Sequence, residues 1–224
     1  MTSPARAHFL RVTAAEASAS AAGGLEHCTG YELMLHKLAE DRRRLKQVQS
    51  MERKAEVKRE ILPDYLPWVE GALSGGKGQP DEVLVTVMLW RIDAGDYGGA
   101  LDIAEYVLAH GLPLPDRFNR TTATTIAEEI ADAAKRARVG GEPFDCQVLT
   151  YTAELTDGHD MPDQVRAKLH KESGLAIEAA DPAAALEHLR RAQQLDGNAG
   201  VKKDIERVIR TLKNTVPPPD GGEA

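Results

Sequence analysis

The 224-residue chain predicts an all-α fold, and three observations carry that prediction. Hydrophobic residues reach 42% while aromatics stop at 4%, so the core is built from Leu, Ile, Val, Met and Ala. That mixture suits packed helices better than a β-sandwich or barrel, which favour β-branched and aromatic residues. Apolar residues recur at steps of three and four in one segment after another. Gly and Pro stand at the segment boundaries, where they end or open helices.

Residues 1–30 are rich in Ala, Ser and Thr with few apolar anchors, and read as a flexible N-terminal arm. Residues 31–62 form a basic helical segment for DNA contact or oligomerisation. Tyr31, Met34, Leu35 and Leu38 start its apolar seam, and Asp41, Glu52 and Arg59 interrupt it. One helix of several turns, or two with a bend, fits this pattern. Pro63 and Pro67 then begin a helical body over 63–214, and residues 215–224 read as a flexible tail.

Within the body, 65–73 forms a short helix and 74–80 a loop. Residues 81–94 are Val-rich, yet the acidic start Asp81-Glu82 and the spacing of Val83, Val87 and Trp90 predict a helix. Asp96 caps the next one, with Ala100, Ile103, Ala104 and Val107 inward and Gly111 as its stop. A helix over 121–138 places Glu128 and Glu129 before Lys135, Arg136 and Arg138, an order that complements the helix dipole. Residues 147–155 fit a strand or a helix, and Asp145 as a cap tips the reading to helix. Pro162 opens a helix to about 179, Asp181-Pro182 opens one to 195, and Asn198 caps the last to about 213. Small residues at Ala100 and Ala104, and again at Ala185 and Ala192, suggest helical hairpins with tetratricopeptide-like crossings.

The formal charge is −7, but its distribution is uneven. Residues 1–30 are neutral, 31–60 carry +3 and 61–224 carry −10. The candidate DNA-binding residues are Lys37, Arg42, Arg43, Arg44, Lys46, Arg53, Lys54, Lys58 and Arg59. Arg42/Lys46 and Lys54/Lys58 are like-charged neighbours one helical turn apart, which repel unless an anion sits between them. Phosphate backbones are held by such groups through charge and counterion release. The competing reading is a solvated helix laced with pairs such as Lys37–Asp41, Glu40–Arg44 and Arg53–Glu56. No aromatic lies among the bases, which disfavours single-strand stacking.

Other chemistries fall away. No stretch approaches the ~20 apolar residues of a membrane span. Cys28 and Cys146 form no CxxC, so a disulfide framework or a zinc ribbon is not expected. Gly71 to Gly76-Lys77 matches GxxxxGK, but Gly78 stands where a magnesium-binding Ser or Thr belongs and a helix precedes it, so an interhelix loop is the better reading. Asp157, His159 and Asp160 gather three potential metal ligands before a Pro-started helix, a pattern commoner in capped polar loops. The seven His show no HxxxH pair.

Blocks of sequence also carry a family resemblance. They are Tyr31-Glu-Leu-Met-Leu with Lys37-Leu-Ala; Leu62-Pro63 with Tyr65-Leu-Pro-Trp-Val69; Thr86-Val-Met-Leu-Trp-Arg with Asp93-Ala-Gly-Asp96; Met161-Pro-Asp with Val165-Arg-Ala-Lys-Leu-His-Lys171; and Ala199-Gly-Val-Lys-Lys203 with Ile205-Glu-Arg207. Together the chain resembles the small terminase subunit, or terminase endonuclease subunit, of P2-like temperate tailed phages. The resemblance implies a protein of the host cytoplasm that recognises double-stranded viral DNA and forms a homo-oligomer such as a ring. It implies delivery of the DNA to a large terminase subunit for cutting and packaging. It also implies no membrane association and no cofactor on this chain, with Mg2+ and ATP on the large subunit. No catalytic residue is assigned. The alternatives are a metal-dependent endonuclease in its own right, using acids near Asp157 and Asp160, and a helical protein–protein adaptor.

Overall fold

The computed structural model describes residues 3–19, 29–115 and 120–215, and among these it contains eleven α-helices and no strand. The expected all-α fold is what forms. Two compact units divide the chain, Met1–Ile126 and Ala127–Ala224. The boundary therefore falls inside a helix well beyond residue 62, and the basic segment belongs to the first unit as an integral part.

The first unit begins with α1 (Pro4–Ala19), where a flexible arm was expected. Leu10, Ala14 and Ala17 are buried, and the helix packs on α4 (Leu66–Gly75). Glycines make the close approach possible. A Cβ on Gly71 would stand 2.2 Å from the Arg11 carbonyl oxygen, and one on Gly75 would stand 2.6 Å from that of Ala15. Residues 20–28, the rest of the expected arm, and the tail from 216 onward lie outside the described residues.

The basic segment is two helices, α2 (Thr29–Gln47) and α3 (Met51–Ile61), with the bend supplied by Ser50, whose hydroxyl accepts the Arg53 N–H at the start of α3. Both pack on α5 (Glu82–Ala94), which is buried almost all round. Asp81 caps α5 and anchors the core. Its carboxylate accepts from the Leu84 N–H (2.9 Å) and from Trp68 Nε1 (2.8 Å). Tyr31 stacks on Trp68 with ring centroids 5.8 Å apart, and Tyr65 meets Trp90 edge-on at 5.9 Å. Both tryptophans and two of the five tyrosines are thus buried in this unit's core. α6 (Tyr97–Ala109) returns along α5 after Asp96 caps its Gly99 N–H, and Gly111 turns the chain at φ 64°.

Helix α7 (Thr122–Gly140) carries the boundary between the units. The second unit continues with α8 (Cys146–Thr156), α9 (Asp163–Ile177), α10 (Pro182–Leu195) and α11 (Lys202–Thr215). The ambiguous stretch 147–155 is helical, and Asp145 caps it through the Gln147 N–H (2.9 Å). Gly174 lets α9 approach α10 closely, since a Cβ there would meet the Ala185 carbonyl oxygen at 3.0 Å. Asn198 does not cap α11. Its N–H donates to Asp196 Oδ1 (2.8 Å), and Gly200 at φ 73° turns the chain before the helix starts at Lys202.

One buried ion pair braces this unit. Arg138 of α7 donates twice to Glu172 of α9, at 2.8 and 2.9 Å, and the Glu172 side chain is 2% exposed. Removing the cation leaves a carboxylate in a dry site. Arg138→Ala is expected to cost about 2–3 kcal/mol, somewhat under the fully buried range because the guanidinium is 40% exposed. Chemical denaturation checks this.

Candidate nucleic-acid interface

The nine candidate cations all lie on α2 and α3, but their surroundings differ. Four staple the two helices to the rest of the first unit. Lys37 bridges Asp41 (3.1 Å) and Asp64 (3.2 Å) and lies over the Tyr65 ring at 5.1 Å. Arg42 donates to Glu82 Oε1 (2.6 Å) and Thr86 Oγ1 (2.8 Å) of α5. Lys58 is buried and donates to Asp93 Oδ2. Arg59 Nε donates to the Ala94 carbonyl oxygen (2.8 Å).

Two more are exposed but paired within the segment. Arg44 meets Glu60 at 2.6 Å, tying α2 to α3, and Arg53 meets Glu56 at 2.6 Å. Arg43 donates only to the Ala39 carbonyl of its own helix (3.3 Å), and neither Lys46 nor Lys54 has a described partner. The expected pairs Lys37–Asp41 and Arg53–Glu56 form. Glu40–Arg44 does not, since Arg44 takes Glu60 and Glu40 faces His36 at 3.8 Å. Six of the nine are therefore committed to partners within the first unit, and Arg43, Lys46 and Lys54 hold the uncommitted charge.

Burial marks the polar groups beneath this surface. The Tyr65 hydroxyl donates to Asp41 Oδ2 (2.7 Å), and burial and that carboxylate push its pKa well above the phenolic range. Tyr31 is pushed up to about 12 by burial, and by Asp81 nearby, while its oxygen accepts the Glu82 N–H (3.1 Å). These groups hold the scaffold and present no nucleophile.

The motifs set aside in the sequence have structural roles. Gly71 belongs to the α1–α4 crossing and Gly76 ends α4 at φ 69°, so GxxxxGK cradles no phosphate. Asp157 ends α8 at 4.0 Å from Arg166 Nη1, and the His159 carbonyl accepts from Arg166 Nη2 (2.8 Å). His170 and His188 are brought together across α9 and α10 with Nδ1 atoms 3.0 Å apart. Burial, with His188 beside it, lowers the pKa of His170 to about 4, and burial lowers that of His188, so the pair is neutral near pH 7. Among the described residues no group of three or more His, Cys, Asp or Glu is placed to hold a metal ion. Among the described residues no helix is long and apolar enough to cross a membrane.

One set of cations escaped the sequence reading. Arg190, Lys202, Lys203, Arg210 and Lys213, on α10 and α11, are exposed and have no described partner. A charge sum over a shorter window, 182–215, would have shown them, since it carries seven Lys/Arg against four acids. The block total over 61–224 hides them.

The described residues form a helical protein with exposed, unpartnered cations on α2, α10 and α11, and comparison with known proteins defines its class. Residues 35–164, more than half of the chain, match the family described as phage small terminase subunit, and the chain belongs to that family. It is 55% identical over 214 residues to the terminase, endonuclease subunit of Escherichia phage P2, covering 95% of this chain and 87% of that protein. It is 24% identical over 201 residues to the probable terminase, endonuclease subunit of Haemophilus phage HP1, covering 83% and 72% respectively. No solved structure matches. The family read from the sequence blocks is the family found.

Proposed function

We propose that this chain is the DNA-recognition subunit of a phage packaging enzyme. It binds double-stranded viral DNA, self-associates and hands the DNA to a large subunit that carries ATP hydrolysis and magnesium-dependent cutting. The observation that carries this reading is the 55% identity to a phage terminase subunit across nearly the whole chain. The uncommitted cations Arg43, Lys46 and Lys54 support it, because unpaired surface cations release counterions from a phosphate backbone at no cost to internal pairs.

Purified protein is expected to retain duplex DNA at low salt, with retention falling steeply as salt rises. Arg43→Glu with Lys46→Glu and Lys54→Glu lowers the slope of log K against log salt by about 2–3. Absence of retention by the unaltered protein in dilute buffer defeats the reading.

The names of both relatives include the word endonuclease, which favours a second reading in which this chain itself cuts DNA. Incubation of the pure protein with Mg2+ or Mn2+ and duplex DNA separates the two. Cleavage that disappears in Asp160→Ala favours the second, and cleavage only with the large subunit present favours the first.

A further inference from the structure

The densest group of unpartnered cations lies outside the basic N-terminal segment. Residues 182–215 hold seven Lys/Arg and four acids, a net of +3, whereas 61–181 holds ten Lys/Arg and 21 acids. Two of the seven have described partners, and only Arg207 is neutralised by acids. Arg207 donates twice to Glu178, at 2.7 Å each, and pairs with Asp204 at 2.8 Å, while Arg191 donates to Gln194 (3.3 Å). The other five, Arg190, Lys202, Lys203, Arg210 and Lys213, are exposed.

The helix geometry collects them. Ile205, Val208, Ile209 and Leu212 of α11 pack against Leu186, Leu189 and Ala192 of α10. At 100° per residue, Lys203 and Arg210 then fall opposite that apolar face, with Lys202 and Lys213 on one flank beside Glu206. From Lys203 to Lys213 the helix advances ~15 Å, a length over which a duplex presents about nine phosphate charges.

Part of this arrangement is unfavourable to the helix. Lys202 and Lys203 occupy the first turn, the positive end of the macrodipole, beside Asp204, the acid there, whereas Lys213 lies in the last turn, where a cation is favoured. Arg210 and Lys213 are like charges one turn apart, while Arg207, one turn from Lys203, is neutralised by Glu178 and Asp204. Two lysines held at the positive end of their helix favour an anionic partner. The exposed face is also polar throughout, with Asn214 and Glu206 beside the bases, and lacks the apolar centre that a contact between protein copies requires.

We infer that the exposed face of α11, together with Arg190 of α10, binds the phosphate backbone of duplex DNA and supplies a larger share of the grip than α2 and α3. The inference rests on the DNA-binding reading above and specifies the surface for it.

The test uses the full chain with Lys202, Lys203, Arg210 and Lys213 all changed to Glu, titrated with a labelled duplex across a salt series. The slope of log K against log salt falls by about 3–4 and affinity drops on the order of a hundredfold at moderate salt, more than in the Arg43/Lys46/Lys54 variant. A second variant, K202E/K203E, guards against loss of folding. It places acids at the helix N-terminus, so its melting temperature rises while its DNA affinity falls, a combination that a purely structural role for the lysines does not produce. Unaltered duplex binding in both variants overturns the inference and leaves the DNA-binding reading standing. No duplex binding by the unaltered protein overturns both. Loss of DNA binding together with loss of self-association, seen by mass measurement, overturns the inference by making this face a contact between copies.

Discussion

Replacing Asp81 with Ala is expected to destabilise the first unit by about 2–4 kcal/mol and to flatten its stability against pH between about 4 and 6. Two losses add. The α5 N-terminus loses the acceptor for the Leu84 N–H, and the buried Trp68 indole N–H loses its only described partner. The pH effect follows from burial, which raises the Asp81 pKa from 3.8 to about 6 against the opposing pull of its hydrogen bonds. The unfolded chain therefore gives up this proton at lower pH than the folded chain does. Stability from the neutral acid is complete below about 3.8 and is lost as pH rises through about 6, a difference on the order of 3 kcal/mol. Denaturant midpoints measured from pH 4 to 7 check both parts. A ramp that persists unchanged in D81A would assign it to another group.

Gly71→Val is expected to release α1. Its Cβ would lie 2.2 Å from the Arg11 carbonyl oxygen and 2.7 Å from Ala14 Cβ, both on α1, and neither is the flexible end of a long side chain. The helix must move away as a body and uncover Leu10, Ala14 and Ala17, at a cost of about 3 kcal/mol or more. Rapid proteolytic cleavage within 4–19 is the readout. Gly98→Ala is the matched control. Nothing lies within 4 Å of a Cβ there, and the position is inside α6, so this change raises stability by about 0.5–1 kcal/mol. Cleavage rates equal in G71V and the parent would show that α1 is held by something other than this crossing.

These two sites show what a one-dimensional reading reaches. Asp81, Asp96, Asp145 and Asp181 each act within two or three residues of themselves, so the helix starts they cap are visible locally. The docking of α1 is not legible because Leu10 is the one large side chain it buries fully, and the rest of the crossing is made by small residues such as Ala14 and by two glycines on another helix, which carry almost no hydrophobic signal. The basic segment was found, but the fate of its charges was not. Arg42–Glu82 and Lys58–Asp93 join residues 40 and 35 positions apart, beyond the reach of any helical spacing rule. The only pairs anticipated correctly were those within one turn, Lys37–Asp41 and Arg53–Glu56.

The placing of both tryptophans has a practical consequence for watching the protein unfold. Trp68 and Trp90 are the chain's two tryptophans, and both sit in the unit Met1–Ile126. Indole fluorescence therefore reports the loosening of that unit alone, while the remaining helices are silent at the same wavelengths. Ellipticity weighs every helix equally, so any gap between the optical curves in urea measures how independently the second unit melts.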